Sequence, residues 1–312
     1  MKLIFIAGAT GVGKSEIGVM LAQKINSEII SADSMQIYRH MDIGTGKISP
    51  DDMNGIPHHM IDIIEPDEEY SVAQYQNDVL NICKKISNTG KIPIIVGGTG
   101  LYINSLIYDM NFNDTTADLI LRKRLQELYE IGGREELLNI LRELDPKKAE
   151  IIDPYNIKRV IRAIEIAKIQ GENKEFSKDI KLRENIEFKF FVLTSDRQKL
   201  YQRIEKRVDK MRESGLVEEV KQLKEKYNVT YETQSMKGIG YRQILAYLEG
   251  KTDIEETFDK IKQESRKYAK RQSTWFKRYK FAQMIYNSQI DQTLKIIFDE
   301  ITKDGFLQSN IY

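Results

Sequence analysis

Short apolar runs alternate with longer stretches in which apolar residues recur at helical spacing, both in the first hundred residues and near the end of the chain. The predicted strands lie at 3–7, 28–33, 92–96, 188–194 and 281–286. The predicted helices among them lie at 16–25, about 72–87 and about 198–214, with an amphipathic helix in the tail. Because strands that alternate with helices are typical of a parallel sheet, the pattern predicts an α/β fold.

A helical segment interrupts this alternation. From about 114 to 185 there is no strand pattern, and apolar residues recur at helical spacing in 117–130, 134–144 and 157–170. The pattern divides the chain into a first part of the core at 1–113, a helical insert at 114–187, and a return to the core with basic C-terminal helices at 188–312.

The first predicted strand leads into a glycine-rich turn that ends in Gly-Lys-Ser. The turn has the eight-residue spacing of a phosphate-binding loop (P-loop), formed by Gly8, Ala9, Thr10, Gly11, Val12, Gly13, Lys14 and Ser15. Glycines let backbone N–H groups surround a diphosphate, Lys14 supplies a positive charge, and the Ser15 hydroxyl is placed to bind Mg²⁺. The predicted fold is therefore a P-loop NTPase-like parallel sheet core with an inserted helical domain and a helical C-terminal segment. The motif leaves open which phosphate compound is bound.

Polar residues stand at the ends of two further predicted strands. Asp33 ends the strand at 28–33, and Gly97 to Gly100, which include Thr99, follow the strand at 92–96. In an open parallel sheet, ligands lie outside the carboxyl ends of the strands. Asp33 is either a strand-end residue that caps a turn or a base that accepts a proton from an attacking amine or hydroxyl. Thr99 is either a turn former or a hydroxyl directed at substrate.

Missing signals exclude several classes of protein. The strand at 92–96 ends without the aspartate with which hydrolytic P-loop enzymes hold Mg²⁺, which argues against an ATPase motor or a switch GTPase. The single cysteine, Cys83, excludes an internal disulfide framework, and its apolar neighbours at helical spacing predict a core position. Because no apolar run approaches the ~20 residues of a membrane span, the protein is expected to be cytoplasmic.

Charge is divided unevenly along the chain, although the net charge is only +1. Residues 1–110 carry a net charge of −5, so that the remaining residues carry +6. Basic residues are densest from Lys262 to Lys280, where Glu264 is the single acid and aromatic residues are interleaved, a mixture suited to phosphate contacts and base stacking. Arg203 and Arg207 form either a solvated helix face or cations that neutralise a departing phosphate. The second part is thus predicted to meet a polyanion.

Several motifs together resemble those of the tRNA dimethylallyltransferases, the bacterial-type tRNA isopentenyltransferases. They are the P-loop, Asp33–Arg39 with Met41–Thr45, Val96–Tyr102, Arg162–Glu165 and Gly240–Gln243, which are spread over nearly the whole chain. The resemblance implies a fold that binds dimethylallyl diphosphate rather than ATP and transfers the five-carbon group to N6 of the adenosine just 3′ of the anticodon in a tRNA. Ala9 and Ser15 stand where the family often has Pro and Thr, and neither departure removes a needed functional group.

The resemblance also implies roles for individual residues. The catalytic residues would be Asp33, as general base for the adenosine amine, with Thr10, Lys14 and Arg207 acting on the diphosphate. Mg²⁺ would be the cofactor, bound at Ser15, and Ser34, Met35 and Gln36 would line the extruded base. The other positions that would touch the anticodon arm of tRNA are Thr99, Arg122, Lys158, Arg159, Val160, Ile161, Arg162, Lys237, Gly240, Tyr241 and Arg242.

Three other functions are compatible with parts of the sequence. They are a small-molecule kinase on the same fold, an isopentenyltransferase that acts on free adenine nucleotides, and a non-catalytic RNA-binding module with a purely structural P-loop. The helical insert and the basic C-terminal segment argue against the first two. The presence of Asp33 beside an intact P-loop argues against the third.

Overall fold

A computed structural model, which describes residues 1–110, 119–170 and 181–307, contains one parallel sheet. Within these ranges the strands are β1 (Lys2–Gly8), β2 (Ile29–Ala32), β3 (His58–His59), β4 (Ile94–Gly97), β5 (Glu187–Thr194) and β6 (Gln283–Tyr286). Their order across the sheet is β3-β2-β4-β1-β5-β6, and every neighbouring pair is parallel. The predicted α/β fold with a parallel sheet is confirmed.

The helices of the described residues surround this sheet and form the insert. They are α1 (Lys14–Lys24), α2 (Val72–Asn88), α3 (Gly100–Ile107), α4 (Leu119–Leu144), α5 (Pro146–Ile151), α6 (Ile157–Gln170), α7 (Arg197–Glu213), α8 (Leu216–Tyr227), α9 (Tyr241–Leu248), α10 (Ile254–Phe276) and α11 (Ile290–Thr302). No helix in the described ranges is both long enough and apolar enough to cross a lipid bilayer.

The central strands are buried because helices cover both faces of the sheet. Ile4, Phe5 and Ile6 of β1 have no solvent exposure, and Ile4 and Ile6 lie beside Ile94 and Val96 of β4. A strand buried on both faces needs apolar residues without alternation, which is the pattern that predicted β1 and β4. Cys83 of α2 is fully buried, which confirms its predicted core position.

The sheet order brings three loops to one edge. β2, β4 and β1 are neighbours and run in the same direction, so their carboxyl ends lie side by side. The P-loop follows β1, Asp33 follows β2, and Gly98 and Thr99 follow β4. Residues that are far apart in the sequence thereby meet at the position where parallel sheets bind ligands.

The chain divides into two compact units. The first consists of Met1–Ile107 with Arg183–Tyr312 and contains the sheet, and the second is Tyr108–Leu182. In the second unit α4 is interrupted at Gly133, whose φ of 71° lies outside the helical region, at the junction between the helices predicted for 117–130 and 134–144. Leu137 and Leu141 of α4 pack with Val160 and Ile164 of α6 in the core of this unit. The boundaries expected from the sequence, 114 and 187, remain predictions.

Candidate active site

A cavity of about 710 Å³ lies in the first unit at the carboxyl ends of β1, β2 and β4. Its walls come from the P-loop, the segment after β2, the loop at 44–46, α7, the loop at 237–242 and α10. This volume falls within the range of pockets that enclose a small organic ligand, which is about 300–1,000 Å³. Most of the site residues predicted for the sheet core and for 237–242 line this cavity.

The P-loop forms one wall of the cavity. β1 ends at Gly8 and α1 begins at Lys14, as the strand–loop–helix pattern predicts. Gly13 has a φ of 94°, and a Cβ at this position would lie 2.8 Å from Nδ2 of Asn287. Glycine is therefore required for the turn into the helix. The loop residues on the cavity wall are Thr10, Gly11, Gly13, Lys14 and Ser15, whereas Gly8, Ala9 and Val12 are buried behind it.

The Lys14 ammonium is held inside the loop. Its Nζ donates to the carbonyl oxygen of Ala9 at 2.8 Å. Burial lowers the pKa of Lys14 to about 8, the negative charge of Asp33 opposes this shift, and the positive charge of Arg207 adds to it. The amine is therefore protonated near neutral pH, and a bound anion such as a diphosphate would stabilise its charged form.

Arg207 reaches the P-loop from α7. Its Nη1 donates to Oγ1 of Thr10 at 3.0 Å, and its Nη2 donates to the carbonyl oxygen of Thr45 at 2.7 Å. A Cβ on Gly46 would lie 2.1 Å from Nη2, so the guanidinium can occupy this position only beside a glycine. Burial lowers the pKa of Arg207, and the charge of Asp33 opposes that shift.

This placement excludes one of the two interpretations for Arg207, that of a solvated helix face. Arg203 is exposed, whereas Arg207 lines the cavity together with apolar side chains of the same helix, Ile204 and Val208. The interpretation as a solvated helix face is therefore wrong for Arg207, and the role on a departing phosphate remains a prediction. Helical spacing could not reveal this, because the length of the arginine side chain brings its charge around to the cavity side of the helix.

Asp33 lies at the end of β2, across the sheet edge from the P-loop. Its Oδ1 accepts from the N–H of Met35 at 2.9 Å, which fixes the turn after the strand. Asp33 also lines the cavity with Ser34, Met35 and Gln36. The N–H of Ser34 donates to Oγ1 of Thr99 at 3.1 Å, so that Thr99 supports this wall from the loop after β4. One carboxylate and two half-buried cations thus face the same space.

Gln272 of α10 joins two of the loops and was not predicted from the sequence. Its Oε1 accepts from the N–H of Thr10 at 2.9 Å, and its Nε2 donates to the carbonyl oxygen of Gly98 at 2.9 Å. Gln272 is 7% exposed, so both bonds are made in the interior, where unpaired polar groups are costly. Gln272 and Thr10 are 262 positions apart, and no local pattern signals such a contact.

The predicted basic run on α10 is partly neutralised. Lys262 pairs with Asp209 at 2.5 Å and Arg266 pairs with Glu205 at 2.5 Å. Both acids belong to α7, which the local sequence of the run could not indicate. In the described part of the chain, Lys270 and Arg271 make no ion pair, and the Arg271 guanidinium lies 5.7 Å from the ring centroid of Tyr268 at the cavity wall.

The start of α9 and the loop before it contribute several predicted residues to the cavity. Lys237, Tyr241 and Arg242 line it. Gly240 precedes α9 with a φ of 99°, and its N–H donates to Oε1 of Gln243 at 2.9 Å. Gly240 therefore shapes the start of the helix and does not itself line the cavity.

In the second unit, two predicted arginines share one buried acid. Glu165 has no solvent exposure, and its two oxygens accept from Nε of Arg122 at 2.7 Å and from Nη1 of Arg162 at 3.1 Å. Lys158 and Arg159 are exposed on α6. Val160 and Ile161 are buried in the core of this unit, so the expectation that they contact RNA is wrong for their side chains. They follow the apolar face of the helix, whose role is packing.

No group of three or more His, Cys, Asp or Glu side chains that could hold a metal ion is found in the described ranges. The Ser15 hydroxyl is exposed at the cavity wall, at the first turn of α1. Such a site suits Mg²⁺, which is held in phosphate enzymes by one or two protein oxygens, by phosphate oxygens and by water.

The sequence of this chain is similar to a family of known function. A family model described as "IPP transferase" matches residues 36–279. A tRNA dimethylallyltransferase from Alkaliphilus metalliredigens is 47% identical over 304 residues, which are 97% of this chain and 96% of that protein.

Solved structures show the same similarity. A full-length tRNA isopentenylpyrophosphate transferase from Bacillus halodurans has a TM-score of 0.73 and 40% sequence identity, over 96% of this chain and 95% of that one. A eukaryotic dimethylallyltransferase acting on tRNA has a TM-score of 0.82 and 31% identity, over 98% of this chain and 79% of that one.

Proposed function

Because this chain belongs to the IPP transferase family, we propose that it modifies tRNA by transferring the dimethylallyl group of dimethylallyl diphosphate to N6 of the adenosine just 3′ of the anticodon. The bond between C1 of the donor and its bridging oxygen breaks, and a bond between C1 and N6 forms. Diphosphate leaves, and N6 gives up one proton. The observation that carries the proposal is that the P-loop, with Lys14 and Arg207, lines the same cavity as Asp33.

The P-loop side of the cavity would bind the diphosphate. The N-terminus of α1 and the N–H groups of the loop favour an anion, and the half-buried cations of Lys14 and Arg207 add two charges. Negative charge grows on the diphosphate as the C1–O bond breaks. Donors that are already in place when this charge develops lower the barrier most effectively, which is the role we assign to Lys14, Arg207 and the Thr10 hydroxyl.

The hydrocarbon part of the donor would lie against α7 and α10. Ile204, Val208 and Met211 of α7 and Ile261 of α10 line the cavity on the same helices that supply Arg207 and Arg271. An apolar wall beside a cationic site suits a molecule that has a charged head and a five-carbon tail. It also keeps water away from the allylic carbon, whose reaction with water would waste the donor.

Asp33 would accept the proton that N6 loses. One carboxylate oxygen already accepts from Met35, which fixes the orientation of the side chain, and the other is available to the amine. The adenosine amine is inaccessible while its base is stacked in the anticodon loop. The base would therefore be extruded into the cavity, beside Ser34, Met35 and Gln36.

Basic side chains of each unit would bind the RNA backbone. In the first unit the candidates at the cavity are Lys237, Arg242 and Arg271. In the second unit, Glu165 orients the guanidinium groups of Arg122 and Arg162 while 42% and 36% of their side chains remain exposed. Phosphate contacts of this kind provide affinity and position without reading the base sequence.

Mg²⁺ would be bound by the Ser15 hydroxyl and by oxygens of the diphosphate. Bound there, the ion would neutralise negative charge on the leaving group. Replacing Ser15 by alanine removes the only protein ligand that we assign to the ion.

Transfer of a labelled prenyl group tests the proposal. The protein is incubated with dimethylallyl diphosphate labelled in the hydrocarbon chain, Mg²⁺, and either tRNA, AMP or no acceptor. The expected result is label in tRNA, at an adenosine next to the anticodon, and none in AMP. Label in AMP but not in tRNA would overturn the proposal. In a parallel incubation with ATP and AMP, transfer of the γ-phosphate of ATP without any prenyl transfer to tRNA would also overturn it.

A further inference from the structure

The loop at 41–47 is held by one acidic side chain that belongs to a distant helix. Glu219 lies in the first turn of α8, and its Oε2 accepts from the N–H groups of Asp42 and Ile43 at 2.9 and 2.8 Å. Its Oε1 accepts from the N–H of Gly44 at 3.1 Å and from the hydroxyl of Tyr241 at 2.7 Å. A carboxylate has about four acceptor positions, and all of them are used here.

Three consecutive N–H groups that converge on one point form a concave anion site. In the loop at 42–44 this site is filled by the carboxylate of Glu219. Bonds between backbone N–H groups and a charged acceptor are among the stronger hydrogen bonds in proteins. The loop is thereby fixed to α8, from which it is separated by more than 170 positions in the sequence.

Tyr241 reinforces the same contact. Its ring lies so close to Gly44 that a Cβ on the glycine would be 2.5 Å from two ring atoms. Burial, followed by the negative charge of Glu219, raises the pKa of the Tyr241 hydroxyl, which therefore stays protonated and donates to the carboxylate.

The far end of this loop holds Arg207. The carbonyl oxygen of Thr45 accepts from Nη2 of Arg207, and Gly46 leaves the space that the guanidinium occupies. Nη1 of the same group reaches Thr10 of the P-loop. Hydrogen bonds therefore connect Glu219, the 42–46 loop, Arg207 and the P-loop in that order.

We propose that Glu219 is a positioning residue for the transfer reaction: by holding the 42–44 N–H groups it places the Thr45 carbonyl oxygen, which in turn orients Arg207 on the leaving diphosphate. Glu219 itself does not line the cavity. The inference rests on the proposed function, since it assigns to Arg207 the stabilisation of the departing diphosphate.

Steady-state kinetics of Glu219→Ala and Glu219→Gln test the proposal. Displacement of a catalytic group by about 1 Å can cost about 100-fold in rate, so we expect kcat of Glu219→Ala to fall by about 10- to 100-fold. KM for tRNA should stay close to that of the wild type. Glu219→Gln keeps one acceptor oxygen and nearly the same shape, so its loss should be smaller. Glu218→Ala, on the exposed neighbour in the same helical turn, should retain wild-type kcat and controls for the charge at the start of α8.

A double-mutant cycle separates positioning from a general structural role. In an Arg207→Ala background, Glu219→Ala should lower kcat little further, because the group that it positions is gone. If the two losses multiply, or if Glu219→Ala has wild-type kcat, the inference is wrong. Should Glu219→Ala fail to fold, the cycle is run with Glu219→Gln, and the same two outcomes decide. Failure of the wild type to transfer the prenyl group to tRNA would instead overturn the proposed function.

Discussion

Lys14 and Arg207 bring two positive charges to the cavity that Asp33 also lines. Lys14 lies in the loop after the first predicted strand and Asp33 ends the second, so the parallel sheet was enough to place them at the same edge. Arg207 and Gln272 reach the P-loop from helices about 200 or more positions away. Such contacts depend on how helices pack on the sheet, which residue spacing does not specify.

Lys14 should make the use of the donor depend on pH. Its pKa of about 8 means that the free enzyme loses this charge as the pH rises above 8. The pH profile of kcat/KM reports groups of the free enzyme, so kcat/KM for dimethylallyl diphosphate should decline above about pH 8. The value of kcat should decline less, because a bound diphosphate favours the charged amine.

Lys14→Arg is the matched variant, since a guanidinium does not titrate in this range. Its residual activity should show no decline in kcat/KM between pH 8 and 10. A wild-type profile that is flat to pH 10, or the same decline in Lys14→Arg, would show that Lys14 is not the titrating group.

Among the elements, most strands and long helices were predicted well, whereas strand β3 and helices α3, α5 and α8 were not. The strand at β1 and the helix at α2 stood out because their apolar spacing extends over the whole element. The short helix α3 begins directly at Gly100, which resembles a turn in the sequence. No helix was predicted at α8, although its buried residues Leu216, Val220 and Leu223 follow helical spacing. That spacing was the available signal for the element that carries Glu219.

The exposed cations of α10 should determine the salt dependence of tRNA binding. Replacing Lys270 and Arg271 by alanine removes two candidate phosphate contacts. Because each phosphate contact contributes about 0.7–0.9 to the slope of log K against log salt concentration, the slope should become shallower by about one to two. Filter binding or fluorescence anisotropy at several salt concentrations measures this slope.

Lys262→Ala is the control on the same helix, because Lys262 pairs with Asp209. It should change the slope far less than the double substitution does. An unchanged slope in the Lys270→Ala, Arg271→Ala variant would remove this part of α10 from the RNA-binding surface.

For the whole molecule, the sequence predicted an insert within an α/β core but could not fix where the insert joins it. In the structure the N–H of Arg183 donates to the carbonyl oxygen of Ile107 at 2.9 Å. The two ends of the first unit therefore meet directly. The apolar pattern alone does not show where the chain leaves the sheet, so the expected boundaries at 114, which lies outside the described residues, and at 187 remain predictions.

Because the two ends of the first unit meet at this junction, we expect the first unit to fold without the second. A variant in which a short glycine-serine linker replaces 108–182 should fold cooperatively, because the closed ends impose little strain on the sheet. It should bind diphosphate as the full chain does, measured by calorimetry, and should bind tRNA more weakly. Loss of cooperative unfolding would show that the first unit depends on the second. Unchanged tRNA affinity would show that Arg122 and Arg162 do not contact RNA.

Single-turnover transfer by Asp33→Asn tests most directly whether the P-loop and Asp33 form one active site. Asparagine keeps the oxygen that accepts from Met35 but cannot accept the N6 proton. Because general base catalysis contributes about 100- to 10,000-fold, the rate of transfer to tRNA should fall by a factor in that range while tRNA affinity stays unchanged. Asp51→Asn, on an exposed residue outside the cavity, is the matched control. A wild-type transfer rate in Asp33→Asn, or an equal loss of binding and transfer, would contradict the assignment of Asp33 as the base.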